Sequence, residues 1–439
     1  AWPMWRTLYQ AMLVLAYPVI RLRLLWRARR EPDYGKRISE RSGRVPDSIP
    51  TNPVWFHTVS AGETIAAAPL IRTLTEEFPE LDFLVTTMTP TGSHQVTSLL
   101  GDCVSHCYAP YDFRWGVRRF YDAVEPCLLV LMETELWPNL IDEASARGVP
   151  ALLVNARLSH RSARGYARIG SLTRTMLDQL SFIACQYPDH SRRFIELGAD
   201  RSRVDALGSV KFDIQLPEDH GSRVSELGAA LGLSIGPVWI AASTHPGEEE
   251  IVLAAHRMVR ESCPDARLLL VPRHPTRAGE VARLIVTAGF TVARQSELVS
   301  AGVHEGPVAD VLLADTMGQL LYLYGLSSVA FLGGSLVRVG GHNPIEAAIC
   351  AQPLLMGPAT FNFPDVVDAF SDAGCLHTVR NATELATQIT KCLTDPTLSQ
   401  QLGKTAQQVV SSNTGATPRL LNLLRTQIRA ATQPTSLRE

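Results

Sequence analysis

From residue 53 onward, short runs of consecutive apolar residues alternate with stretches whose apolar positions recur every three or four. That alternation predicts the strands and helices of a parallel α/β sheet. Residues 54–59, 83–87, 127–132 and 151–155 read as strands, and the first leads through Ser60-Ala61-Gly62 into a helix running to Leu74. A polar stretch from Pro217 to Gly236 follows, and then a second series begins, with strands at 238–242, 267–271, 329–332 and 353–356. Two such halves joined near residue 215 predict an α/β protein of two Rossmann-like domains facing across a cleft. Open parallel sheets bind ligands beyond the carboxyl ends of their strands. The loops there are rich in polar residues, so a polar ligand is expected between the domains.

The N-terminus follows a different pattern. Residues 8–20 form an apolar run, and Arg21, Arg23, Arg27, Arg29, Arg30, Lys36, Arg37, Arg41 and Arg44 follow against only Glu31, Asp33 and Glu40. The run is shorter than the ~20 residues of a bilayer span, although 4–26 reaches that length with its arginines snorkelling. The expectation is a membrane-anchor helix over 1–30 whose basic flank stays cytoplasmic and meets anionic head groups. The alternatives are a helix lying in the bilayer surface and a buried helix of the soluble domain. The domain expectation is then 31–215 for an N-terminal acceptor-binding domain, 216–426 for a C-terminal nucleotide-sugar-binding domain, and 427–439 for a frayed tail.

A chain of 439 residues with 46% hydrophobic content has enough apolar surface for two cores. Its formal net charge of -2 argues against a general nucleic-acid binder, so any anion site must be built locally. Eight cysteines show no disulfide framework and no zinc-ligand spacing beyond Cys103 and Cys107 around His106, so neither a metal nor a cofactor is expected. Neither a glycine-rich dinucleotide fingerprint nor a phosphate-loop lysine motif occurs, which disfavours oxidoreductases and nucleotide triphosphatases.

Several loops carry candidate chemistry. In Gly340-Gly341-His342-Asn343-Pro344-Ile345-Glu346, Asn343 is expected as a helix N-cap and Pro344 as the first helical residue. That helix start would face a phosphate, and Glu346 would accept from ribose hydroxyls, unless the motif is simply a well-capped helix. Arg273 follows a buried strand and suits two-point phosphate binding or a surface ion pair. Lys211 at the domain junction is similarly open. Met132-Glu133-Thr134-Glu135 puts two carboxylates at the end of a very apolar strand, which favours a functional role. Ser60-Ala61-Gly62-Glu63 matches a capping box, so pattern alone favours a structural role for Glu63.

Read together, seven segments resemble one family, the 3-deoxy-D-manno-octulosonic acid (Kdo) transferases of lipopolysaccharide assembly, which have the GT-B glycosyltransferase fold. The segments are His57–Glu63, Thr86–Gly92, Met132–Asn139, Asn155–Ser159, Pro272–Pro275, Asp315–Gly318 and Gly340–Glu346. The resemblance covers nearly the whole chain. It implies transfer of Kdo from CMP-Kdo to the lipid A precursor (lipid IVA), a bisphosphorylated acceptor, at the cytoplasmic face of the inner membrane. It further implies that Glu63 is the proton acceptor and that Glu133 and Lys211 help stabilise the transition state. Pro272, Arg273, Met317, Gly318, Gln319, Asn343, Pro344, Ile345 and Glu346 would hold CMP. Gln319 departs from the family's usual Glu, which removes a charge from that set; Ala61 and Thr276 are smaller departures.

The implied reaction inverts the anomeric carbon, with one carboxylate deprotonating the acceptor hydroxyl as CMP leaves from the opposite face. The helix start should lower the pKa of Glu63, and desolvation in a filled cleft is expected to offset that effect. Two rival readings remain: a GT-B transferase using a UDP-sugar and another lipid acceptor, and a non-catalytic membrane-bound scaffold.

Overall fold

A computed structural model describes residues 4–233, 236–302 and 308–432, and its strands pair in parallel throughout. The chain divides into two units, residues 1–211 with 415–439 and residues 212–414. In the first, β1 (Val54–His57), β2 (Phe83–Thr87), β3 (Ser105–Tyr108), β4 (Leu128–Met132), β5 (Ala151–Ala156), β6 (Phe182–Cys185) and β7 (Val204–Ala206) form one sheet in the order β3-β2-β1-β4-β5-β6-β7. The second unit has β8 (Val238–Thr244), β9 (Arg267–Pro272), β10 (Val292–Arg294), β11 (Val311–Leu313), β12 (Ala330–Leu332), β13 (Leu354–Met356) and β14 (Leu376–Thr378), ordered β10-β11-β9-β8-β12-β13-β14. Each strand order reverses beside its first strand, between β1 and β4 and between β8 and β12. Such a switch point opens a crevice at the carboxyl edge.

The sequence explains why the central strands are continuous apolar runs. Helices cover both faces of each sheet, so successive side chains on either face must be buried. Trp55, Leu129 and Leu131 pack on one face of the first sheet with Phe120, Tyr121 and Leu140. Val54, Phe56, Val130 and Met132 pack on the other with Leu70 and Ile71. In the second sheet, Trp239, Leu268, Leu270 and Phe331 share a cluster with Val252, Val281 and Ile389.

Two features correct the expected domain limits. The boundary falls between Lys211 and Phe212, and the last helix, Ala416–Thr432, belongs to the first unit rather than the second. The physical reason is its apolar stripe: Leu420, Leu424 and Ile428, four residues apart, join the cluster containing Val54, Phe56 and Leu70. Arg425 clamps this helix to the first unit through two-point bonds of 2.7 and 2.6 Å to Glu77. The helix therefore continues past residue 426, where fraying was expected. Residues 433–439 of that expected tail, and residues 1–3 of the expected anchor, lie outside the described residues.

The N-terminal helix α1 (Met4–Arg30) lies along the first unit. Tyr9 donates to Asp112 at 2.8 Å, Arg6 pairs with Asp142, Gln10 bonds Asn139, Tyr17 meets Phe113 edge-on, and Leu24 is buried. Gln10, Tyr17 and Leu24 lie seven residues apart, about two turns, and Arg6 precedes Tyr9 and Gln10 by about one turn, so together they mark one docked stripe. The rest of the helix surface is exposed, with Leu8, Met12, Leu15, Val19, Leu22 and Trp26 uncovered and Arg21, Arg23 and Arg29 exposed towards its C-terminal end. By length and composition, residues 6–29 suffice to cross a membrane.

Leu424 tests the return of the last helix. Leu424→Ala should destabilise the protein by about 2–5 kcal/mol in chemical denaturation, as buried Leu-to-Ala changes do. A loss under about 0.5 kcal/mol would mean that this helix is not part of the first core.

Candidate active site

At the carboxyl end of β1 the chain turns through Ser60 into α2 (Ala61–Glu77). Ser60 caps that helix: its Oγ accepts from the Glu63 N–H at 3.4 Å, while its hydroxyl donates to Glu63 Oε1 at 2.8 Å. A regular capping box would send the Glu back to the Ser N–H. Here Glu63 Oε2 instead accepts from the Val59 N–H, one residue upstream, at 2.8 Å. The carboxyl group thus lies over the end of β1 and is only 7% exposed.

Burial dominates its ionisation. Desolvation is the largest influence, the nearby Glu135 carboxylate adds repulsion, and Glu133 adds less; the Val59 and Ser60 hydrogen bonds oppose them. The pKa rises from 4.5 to about 8. Burial within the first unit therefore outweighs the lowering at the helix start, and it does so without the filled cleft from which that desolvation was expected. Glu135 is also raised, by burial and then by Glu133, although the Trp137 indole donates to it at 2.7 Å.

Glu133 sits just past β4 at φ 55°, an αL conformation uncommon for a residue with a side chain. Lys211 Nζ lies 3.2 Å from its Oε1. The lysine is positioned through Asn155, itself at φ 53°, whose Oδ1 accepts from the Val210 N–H at 3.4 Å. Strained residues at adjacent strand ends mark functional sites more often than ordinary loops. The structure thus brings Glu63, Glu133 and Lys211 together, with Glu135 as a member the sequence reading had only paired with Glu133. His57 is a neighbour that sequence reasoning missed. It is fully buried against Trp137, with ring centroids 4.6 Å apart, and desolvation lowers its pKa to about 3, so it stays neutral.

In the second unit the loops after β11, β9, β8 and β12 lie side by side, because those strands are neighbours in that order. Pro272 ends β9 and the exposed Arg273 follows, its N–H donating to Thr244 O at 3.0 Å. Arg273 acts electrostatically on His245, His342 and Glu346, so these four groups form one cluster. His245 and His342 stack 5.1 Å apart with their Nε2 atoms at 2.9 Å, an arrangement in which one ring donates and the other accepts. Burial, then Arg273, lowers the His342 pKa to about 4, and burial raises that of Glu346.

The loop before Glu346 is fixed from beneath by Glu248, a fully buried carboxylate that accepts from the N–H groups of Gly334, Ser335 and Leu336 at 2.7–3.0 Å. Gly333 is required there, since a Cβ would stand 2.4 Å from Ser243 O. The cap differs from expectation by one residue. Pro344 occupies the N-cap position of a helix spanning only Ile345–Ile349, and Asn343 Oδ1 accepts from the Ile345 N–H at 3.1 Å. So short a helix offers little dipole, and Arg273 is the positive charge that acts on this cluster. Met317 is exposed, Gly318 takes φ 75°, and Gln319 precedes the helix Leu320–Gly325 at the end of the neighbouring strand. Among the described residues no three His, Cys, Asp or Glu side chains are grouped to hold a metal ion.

Two parallel doubly wound sheets with polar carboxyl edges are the architecture of the GT-B fold class. Residues 36–214 match the family described as 3-deoxy-D-manno-octulosonic-acid transferase (kdotransferase), and residues 237–409 match glycosyl transferases group 1. The chain is 38% identical to the 3-deoxy-D-manno-octulosonic acid transferase of Haemophilus influenzae, covering 96% of this chain and 98% of that one. It is 36% identical to the enzyme of the same name from Bordetella pertussis, over 96% and 99%. In fold it resembles a putative UDP-N-acetylglucosamine 2-epimerase from Listeria monocytogenes, with TM-score 0.55 and 15% identity over 87% of this chain and 97% of that one. The chain belongs to the Kdo transferase family, whose members are Kdo-transferring glycosyltransferases.

The raised pKa of Glu63 has a consequence for stability. A carboxyl raised from 4.5 to about 8 binds its proton more tightly when folded. Its contribution is therefore fully present below pH 4.5 and is lost as pH rises through 8. Glu63→Gln keeps a capping amide and never ionises, so it should exceed wild type in stability at pH 9 by more than about 1 kcal/mol, against a ceiling of about 5 kcal/mol from the size of the shift. That advantage should disappear near pH 4.5. Thermal unfolding at the two pH values checks this, and a variant less stable at both would contradict the burial argument.

Proposed function

We propose that this chain transfers Kdo from CMP-Kdo to the lipid A precursor with inversion, Glu63 acting as the proton acceptor. The observation that carries this reading is the state of Glu63: a buried carboxyl whose pKa of about 8 makes it a competent base once ionised. Glu63 removes the proton from the acceptor hydroxyl as its oxygen bonds the anomeric carbon of Kdo. The bond from that carbon to the CMP phosphate breaks on the opposite face. A base in this role contributes about 10²–10⁴-fold. Glu133 faces the positive charge that develops on the sugar, while Lys211, held 3.2 Å from it, neutralises either Glu133 or the donor's own carboxylate.

In the second unit, Arg273 takes the single phosphate of CMP, supported by the Asn343-Pro344-Ile345 turn. Glu346, half-buried and with a raised pKa, accepts from the ribose hydroxyls. Pro272 and the Met317-Gly318-Gln319 loop complete the nucleotide contacts at the neighbouring strand ends. Gln319 offers an amide in place of a carboxylate, so its share of donor binding is hydrogen bonding without charge. The docked stripe of α1 supports a helix lying in the membrane surface, since its opposite face is apolar and Arg21 and Arg29 can reach head groups. The cytoplasmic face of the inner membrane is where such a flank and such a donor would meet.

The test supplies lipid A precursor with Kdo, CTP and a CMP-Kdo synthetase. Wild type should add Kdo, and Glu63→Gln should lose about 10²–10⁴-fold in kcat while CMP still protects it from thermal unfolding. Protection by UDP but not CMP would overturn the donor assignment in favour of a UDP-sugar enzyme. Unimpaired turnover by Glu63→Gln would remove it as the base.

A further inference from the structure

A cavity of about 350 Å³ opens in the first unit between α1 and the carboxyl ends of β1 and β2. Arg23 and Arg27 of α1 and Arg41 line it, and among the described residues no carboxylate does. Arg41 is only 3% exposed, and one terminal nitrogen donates to Met88 O at 2.8 Å. Its Nε and its other terminal nitrogen, Nη2, are buried without any hydrogen-bond partner. Those two nitrogens form the edge of the guanidinium that grips an oxyanion at two points. A buried cation with that edge unpaired is costly unless an anion arrives to satisfy it.

The adjacent Glu40 does not fill that role. Its carboxylate is held by the Arg37 guanidinium at 2.7 Å and the Tyr108 N–H at 2.8 Å. Arg41 is instead fixed by its neighbours: its guanidinium lies 4.2 Å from the centre of the Tyr108 ring. Two further lining residues give the cavity its direction. Val59 is the residue whose N–H holds Glu63, so the cavity adjoins the proton acceptor. Ile20 and Leu24 of α1 form an apolar wall beside the arginines. A ligand that suits both walls is an anion attached to an amphiphile.

On the reading that this chain glycosylates a phosphorylated lipid, we propose that the cavity binds a phosphate monoester of the acceptor. Arg41 takes it through its Nε–Nη2 edge, and Arg23 and Arg27 add charge from the helix. The pocket thereby sets the position of the acceptor sugar relative to Glu63 and selects phosphorylated acceptors. Arg41 is thus a binding residue for the acceptor, distinct from the nucleotide-binding residues of the second unit.

The experiment measures kcat/KM for detergent-solubilised full-length enzyme on the bisphosphorylated acceptor and on acceptors lacking either phosphate. Wild type should lose about 10–100-fold when one particular phosphate is missing, the size of a lost charged hydrogen-bond pair. Arg41→Gln should lose a similar factor on the intact acceptor and little more when that phosphate is removed, with the KM for CMP-Kdo unchanged. Arg27→Gln, on a largely exposed helix, should show the same selective loss at about 3–10-fold. It decides the question if Arg41→Gln fails to fold. Equal losses by either variant on all acceptors would overturn the proposal. So would a head-group role, seen as weaker sedimentation of the variants with phosphatidylglycerol vesicles while acceptor discrimination stays at the wild-type level. A wild type that uses every acceptor equally sinks this pocket alone, whereas one that transfers Kdo to none sinks the proposed reaction.

Discussion

The site depends on one constraint: a carboxyl group held out of water at the end of a parallel strand, with two more carboxylates nearby. Glu63 is kept there by the Ser60 hydroxyl and the Val59 N–H, and Glu133 and Glu135 press on it from the end of β4. Such a cluster is costly to bury. The structure meets the cost locally, with Lys211 on Glu133 and the Trp137 indole on Glu135. Burial and the repulsion of Glu135 raise the pKa of Glu63 to about 8, and Glu135 is raised as well. The αL backbone at Glu133 and Asn155 serves the same arrangement, turning Glu133 toward the lysine and fixing the segment that delivers it.

The second unit solves a different problem with the same topology. Its carboxyl edge gathers positive charge at Arg273 and neutral rings at His245 and His342, over a loop whose N–H groups are already consumed by Glu248. Because Glu248 satisfies those groups, the loop is rigid before a ligand arrives. Preorganisation of this kind lowers the ordering cost of binding. One unit thus carries the proposed base and the proposed anion cavity, and the other carries the cluster proposed to take a nucleotide monophosphate.

Much of this was legible in the sequence, for a physical reason. The central strands are buried on both faces, so they appear as uninterrupted apolar runs such as Leu128–Met132 and Leu268–Val271, and their ends could be read within a residue or two. Two short interior strands, Phe182–Cys185 and Val311–Leu313, were missed, and so were the edge strands. Ser105–Tyr108, Val204–Ala206 and Leu376–Thr378 are three or four residues long and carry polar side chains, because only one neighbour and part of one face demand otherwise. The return of Ala416–Thr432 to the first unit was equally hidden: its stripe fixes that it packs, but not on which sheet.

The functional residues divide in the same way. Glu63 could be found only through the matched segments, since its local pattern is that of a helix cap, and the structure shows it fulfilling part of that role. Arg41 entered the sequence reading only as one of the basic flank, because a buried guanidinium edge with no partner is a property of three-dimensional packing, not of neighbours in sequence. The central claim is that Glu63 works as a base with a carboxyl pKa raised by burial. The pH profile of kcat/KM on full-length enzyme tests it most directly, because that quantity reports ionisations of the free enzyme. A rising limb with an ionisation near pH 8, absent from the residual activity of Glu63→Gln, is the expected result. A profile whose only acidic ionisation lies near 4.5 would contradict it.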